Sequence, residues 1–366
     1  MILRSGKLFF PFLLIFFLGI FAAPGCTSQP ADKTGSGSSA GPAAAASQLA
    51  GSDLKAVPRP ITEQLERWTE STLNWVAGTL WENPPGTGDP GLRKLALITL
   101  DDPLHLREAP GMKTVGDFFQ RMTTRALDQL EAEQVSSGAT VWKLYNHTFI
   151  LKTISHTFAF DIYRGVERVA LSEKQLERLA GMVDLLFISH FHRDHADYGL
   201  AQLMVERGKK VIVPEDLWLD TEIASSLIRV PGGQESECGG LRFMVFPGHQ
   251  GSDITNNVYL VQADSIRVMH TGDQSNSADF AAWIDGLGRR YHVDILHPNC
   301  WTTDLPRMIR EVDPQVVITG HENELGHTVD HRESFAKTYS NLQAVEHPYV
   351  VMSWGERFHY SGTGSP

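Results

Sequence analysis

Long apolar runs in this chain alternate with clusters of polar and turn residues. After residue 138 the runs are short and mostly uninterrupted. Thr140–Tyr145 and Thr148–Lys152 read as a strand pair turning at Asn146 and His147, and Thr157–Ile162 as a third strand. Val183–Ile188, Lys210–Pro214, Leu241–Phe246, Ile254–Val261, Ser265–Met269, Val293–Leu296 and Val316–Thr319 follow as buried strands. Helical spacing lies between them. Ser172–Leu179 starts on a capping serine with Glu173 in its first turn, and Tyr198–Val205 has apolar residues at helical intervals.

Before residue 138 the pattern is mostly helical. Leu65, Trp68, Leu73, Trp75 and Val76 recur at helical spacing. The breakers Asn83–Gly91 then form a loop. Thr114–Glu133 carries one apolar stripe from Val115 to Leu130, ended at Ser136–Gly138. The expected organisation is a helical N-terminal cap over 53–138 and a catalytic domain over 139–366.

The N-terminus has a different character. Arg4 and Lys7 precede an almost unbroken apolar run, Leu8–Ala23, broken only by Pro11. Residues 1–25 therefore read as a signal peptide, too short for an ordinary membrane span. Small residues lead into Cys26 and resemble a bacterial lipobox, although Ala23 stands where leucine is usual. That resemblance implies lipidation at Cys26; an uncleaved N-terminal anchor is the alternative. Residues 26–52 are rich in Gly, Ser, Ala and Pro and read as a flexible tether. The expected location is outside the cytoplasm, membrane-anchored, at the periplasmic face or cell surface. Thr27, in place of an aspartate, favours the outer membrane.

Composition narrows the class. An apolar content of 42% supplies an ordinary globular core. The formal charge of −11 opposes phosphate backbones, and no basic patch stands out, so nucleic acid is not an expected partner. Besides Cys26 the thiols are Cys238 and Cys300, which either pair or remain free.

The chemistry concentrates in Ser189-His190-Phe191-His192-Arg193-Asp194-His195. In an extended loop His190 and His192 point the same way and can grip one cation. Asp194 and His195 face a second point. Mixed imidazole and carboxylate donors suit zinc, manganese or iron. Further donors follow apolar runs: His249 after Pro247-Gly248, Asp273 after Gly272, and His321 after Gly320.

This stretch resembles the HxHxDH signature of the metallo-β-lactamase superfamily, and Gly272-Asp273 resembles its GD motif. The resemblance implies a four-layer αββα sandwich of the α/β class, here with an N-terminal helical extension. It also implies two divalent ions, zinc by default. His190, His192 and His249 would bind the first ion, and Asp194, His195 and His321 the second, with Asp273 shared. The implied activity is hydrolysis by a metal-bridging hydroxide, with Asp194 as the catalytic residue that orients the nucleophile and shuttles a proton. Antibiotic-opening members usually lack the bridging aspartate, whereas relatives cleaving phosphodiesters, lactones or thioesters keep it. The expected substrate is thus a small or lipid-like ester. The alternatives are a metal-binding surface module with little turnover, or a β-lactam hydrolase.

Around the late motifs, His297 and Trp301 are candidates for substrate contact. His327 is a candidate proton donor to the leaving group. Glu322 or Glu324 is expected to support His321.

Overall fold

A computed structural model of the chain describes residues 59–88 and 91–362. The signal peptide, Cys26 and the tether lie outside these residues. Three helices come first: α1 (Arg59–Glu82), α2 (Gly91–Leu104) and α3 (Lys113–Ala132). The strands of the first half are β1 (Ala139–Lys143), β2 (Phe149–Lys152), β3 (Thr157–Phe160), the small hairpin β4 (Gly165–Val166) and β5 (Val169–Ala170), β6 (Leu185–Phe187), β7 (Lys210–Val213) and β8 (Ile228–Arg229). Helices α4 (Glu173–Met182) and α5 (Tyr198–Glu206) flank β6 in sequence. The second half holds β9 (Glu235–Cys238), β10 (Leu241–Gln250), β11 (Ile254–Ala263), β12 (Ile266–His270), β13 (Ile295–His297), α6 (Leu305–Val312), β14 (Val316–Ile318), α7 (Phe335–Leu342), β15 (Tyr349–Val350) and β16 (Glu356–Tyr360).

The strands form two large sheets. One runs β16-β1-β2-β3-β6-β7-β8 and the other β15-β14-β13-β12-β11-β10-β9. Alternate residues of each strand serve two different cores. Phe149, Leu151, Phe158, Phe160 and Phe187 of the first sheet meet Phe243, Val245, Tyr259, Val261 and Ile318 of the second between the sheets. Their neighbours Ile150, Ala159, Leu186 and Val211 turn outward to the helices, as do Met269, Leu296 and Val317 on the other side. Burial on both faces explains why the strands read as continuous apolar runs rather than alternating ones. The result is a four-layer αββα sandwich, the arrangement that the motif resemblance implies.

The N-terminal helices are bound to the sandwich. Phe118 and Phe119 of α3 pack on Trp354, with ring centroids 6.4 and 5.8 Å apart. The buried Arg93 of α2 grips Glu356 of β16 at 2.7 Å through both terminal nitrogens and donates to Val351 O at 2.6 Å. Such a two-pronged pair fixes orientation as well as contact. Both Cys238 and Cys300 are free thiols.

Candidate metal centre

Six of the seven predicted donors converge because of how the parallel strands end. β12, β13 and β14 run parallel, so the loops after them open at one edge of their sheet. These loops carry Asp273 and His321, and the loop after β6 carries His190, His192, Asp194 and His195. Ser172 and Asp197 cap α4 and α5 through Gln175 N and Leu200 N, which ends the metal loop cleanly at Asp197. Gly272 lies at φ +51°. An added Cβ there would sit 2.2 Å from Asn256 Oδ1 and 2.5 Å from Ser189 Cβ, so only glycine lets the two ligand loops pass this closely.

Among the described residues three donor groups result: one is His147 with Asp161 and His195, and the other two consist of predicted ligands. His190, His192 and Asp273 form one, and Asp194, His195 and His321 the other. Within each group the donor atoms lie within 4.8 Å of one another. Asp273 joins them: its Oδ2 is 3.7 Å from His190 Nε2, 3.3 Å from His195 Nε2 and 3.5 Å from His321 Nε2. Asp194 Oδ2 stands 3.4 Å from the Nε2 atoms of both His195 and His321. His249 joins neither group. It sits at the end of β10, half-exposed, with its Nδ1 3.0 Å from Asp279 Oδ1.

The imidazoles are set in one tautomer. His195 Nδ1–H donates to Asp161 Oδ2 at 2.8 Å. His190 Nδ1–H donates to Ser189 Oγ at 3.0 Å, and that hydroxyl donates to Asp161 Oδ2 at 2.6 Å. His249 Nδ1–H meets Asp279, which also accepts from Gln274 Nε2 at 2.8 Å. A carboxylate can only accept, so in His195 and His249 the proton sits on Nδ1 and Nε2 is left as the ligand atom. The Nε2 atoms of His190, His195 and His321 and Oδ1 of Asp273 are buried without a hydrogen-bond partner. Buried polar atoms are rarely left so. One cation in each ligand group would satisfy all four, so the donor set fits divalent metal.

Electrostatics agree with the geometry. Burial opposes the charge on Asp194 and Asp273, yet His195 and His321 hold both carboxyls well below their usual range. Burial likewise works against the His321 imidazolium, but Asp273 and Asp194 raise it to about 10. His195 is raised well above its ordinary value against its own burial, by Asp273, Asp194 and Asp161. The cluster demands positive charge. His190, desolvated and beside His195, falls to about 3 and offers a neutral donor.

Backbone conformation is special here as well. His321 has φ 74° and Asp161 φ 47°, uncommon for residues with a side chain. His321 N donates to Asn146 O at 3.2 Å, and Asn146 Nδ2 donates to Asp194 Oδ2 at 3.0 Å. The turn after β1 therefore supports one ligand from each loop. Gln250 Nε2 also reaches Asp273 Oδ2, at 3.1 Å.

A cleft of about 480 Å³ opens on this centre, lined by Gln250, Trp301, His321, His327 and Thr328 among others. Trp301 and His327 therefore stand where substrate contact was expected. His327 Nε2 is 4.0 Å from Asp194 Oδ2. His297 does not line the cleft. It is fully buried, stacked on Phe149 at 3.9 Å, with Nδ1 on Ile318 O, so its role is packing. Neither glutamate supports the His321 ring. Glu322 pairs with Lys143 in the core, and Glu324 accepts from Tyr145 Oη at 3.1 Å and Gly326 N at 2.7 Å. Asp161, Ser189, Asn146, Gln250, Gln274 and Asp279 were not singled out from the sequence. Ser189 adjoins His190 in the chain, whereas the others meet the groups they hold only through the fold.

No protein-family model and no curated protein matches this chain. Among solved structures, a metallo hydrolase from the hyperthermophilic archaeon Ignicoccus hospitalis is 19% identical, with 61% of this chain and 100% of that chain covered and a TM-score of 0.46. The metallo-β-lactamase fold protein YhfI from Bacillus subtilis is 13% identical, with 61% and 100% covered and a TM-score of 0.46. An isothiocyanate hydrolase from Delia radicum gut bacteria is 15% identical, with 61% and 99% covered and a TM-score of 0.48. The likeness to the metallo-β-lactamase superfamily rests on this chain's own layer order and ligand loops.

Proposed function

We propose that this chain is a metal-dependent hydrolase with a dinuclear centre, acting on an ester-type bond such as a phosphodiester or lactone. The observation that carries this reading is the set of buried, partnerless Nε2 atoms gathered around the Asp194 and Asp273 carboxylates. His190, His192 and His249 would hold one ion, Asp194, His195 and His321 the other, and Asp273 both. Such ions lower the pKa of water and polarise an electrophilic centre. Imidazole and carboxylate donors accept zinc, manganese or iron.

The chain's own residues supply the rest. Asn146 fixes the Asp194 carboxylate, which orients the nucleophile and takes up its proton. Trp301 gives the cleft an apolar wall, and His327 stands beside Asp194 where a proton can pass to the leaving oxygen. The N-terminal pattern supports an exported protein tethered through Cys26; incorporation of labelled palmitate that is lost in Cys26→Ser would test that location.

The reaction is tested with a chromogenic phosphodiester, a lactone, a thioester and a cephalosporin, each with and without chelator. Chelator-sensitive turnover of the phosphodiester or lactone is expected. Turnover of the cephalosporin alone would make the chain a β-lactam hydrolase. Absence of turnover in protein carrying two ions would favour a metal-binding surface module.

A further inference from the structure

One flank of α1 presents large apolar side chains to solvent. Ile61, Trp68 and Trp75 are between 43% and 53% exposed. Seven residues are close to two helical turns, so this spacing sets all three on the same flank. The other flank belongs to α3, whose Thr114 Oγ1 reaches Glu66 Oε2 at 2.6 Å and whose Arg121 Nη2 reaches Asn74 Oδ1 at 3.0 Å. The apolar flank is thus a different one from the α3 flank, and on α2, which packs along α1, Leu92 and Leu95 are also about half exposed. Trp81 differs, because the Arg125 guanidinium lies 3.7 Å over its ring. Single exposed apolar residues are ordinary. Five on two helices that pack together are a concentration of the kind that marks a contact surface.

We propose that this patch rests on the lipid bilayer to which the chain is anchored, a reading that depends on the tethered location proposed above. Chain order is the first reason. The apolar run Leu8–Ala23 and Cys26 precede α1 by one short stretch. A Gly/Ser/Ala-rich tether joins them. It holds the patch near the membrane at roughly millimolar effective concentration, where a weak contact suffices.

The second reason is chemical. Tryptophan is the side chain favoured at the water–bilayer boundary, because its ring is broad, apolar and carries one N–H. Size argues against a second copy as the occupant. Half of five large side chains amounts to on the order of 450 Å². A stable protein interface needs about 800 Å² from each partner. The formal charge of −11 also makes attraction to anionic headgroups a poor explanation, so the contact should be insensitive to salt.

The full chain, reconstituted in phosphatidylethanolamine–phosphatidylglycerol vesicles with bromine-labelled acyl chains, provides the test. The quenched emission should belong to two of the eight tryptophans. It should disappear in the conservative variant Trp68→Phe/Trp75→Phe and persist in high salt. Flotation of the same vesicles reads the anchor separately. Protein that floats but shows equal quenching in wild type and variant overturns the patch and leaves the anchor standing. Protein that does not float overturns both. Chemical cross-linking into dimers that the double variant abolishes, without lipid quenching, would instead assign the patch to a second copy.

Discussion

His195 Nδ1 lies 2.8 Å from Asp161 Oδ2, and the same carboxylate reaches His190 through the Ser189 hydroxyl. One buried aspartate thus orients a ligand of each proposed ion. Asp161 Oδ1 also accepts from Ser189 N at 2.7 Å, which pins the start of the metal loop. Asp161→Asn preserves shape but puts an N–H₂ where two donors need an acceptor. Metal affinity should fall roughly 10- to 100-fold, as for other partners of metal-bound histidines. Titration against a competing chelator reads this directly. Unchanged affinity with a lowered melting temperature would reduce Asp161 to a structural residue.

The two ions should be separable by mutation. Asp273 touches donors of both groups, so Asp273→Ala is expected to lose both ions and the activity while keeping the fold. His249 is proposed as a donor to the first ion alone, with Asp279 holding its Nδ1, so His249→Ala should weaken or release only that ion. Metal analysis after desalting, with circular dichroism as the fold control, distinguishes the two. Two ions retained by Asp273→Ala would sink the ligand assignment.

The strands were legible in the sequence because burial on both faces writes them as apolar runs. Part of the donor cluster was legible because several ionisable side chains crowd into one short loop. What escaped the sequence is what the fold alone brings together. Asp161 ends a strand as an ordinary polar residue, and Asp279 lies on an irregular helical segment 30 residues beyond His249, the ring it holds. His297 looked like a pocket residue because its sequence neighbours are polar, yet its ring stacks inside the core. β16 is short and half-polar, and its partner β1 lies at the opposite end of the domain's sequence. The polar edge strand β9 was missed for the same lack of an apolar signal.

Lys143 and Glu322 form an ion pair with no exposure on either side. Glu322 also accepts from Thr338 Oγ1 at 3.3 Å, and Lys143 Nζ donates to Thr319 O at 3.3 Å. The pair thereby holds the loop on which His321 sits. Lys143→Met leaves a carboxylate buried and uncompensated, which typically costs 3–5 kcal/mol. Denaturant unfolding of the variant should show about that loss. Replacing both partners by apolar residues of similar size should recover much of it. A single variant as stable as wild type would mean that water reaches Glu322.

Glu324 gives the metal-free protein a pH signature. Burial, reinforced by the nearby Asp194, raises its carboxyl from an ordinary 4.5 to about 7. The folded state therefore keeps this proton over a range in which the unfolded chain has already released it. The associated stability is fully present below pH 4.5 and is lost as pH rises through about 7. At 1.36 kcal/mol per unit the loss is on the order of 3 kcal/mol. Glu324→Gln stays neutral throughout, so its melting temperature should not show this fall. Melting curves of chelator-treated wild type and variant between pH 4 and 8 make the comparison. Parallel profiles would show that the folded protein ionises Glu324 as readily as the unfolded chain does. A difference that opens between pH 5 and 7 would show that burial and Asp194 keep this carboxyl protonated even though Tyr145 and Gly326 donate to it.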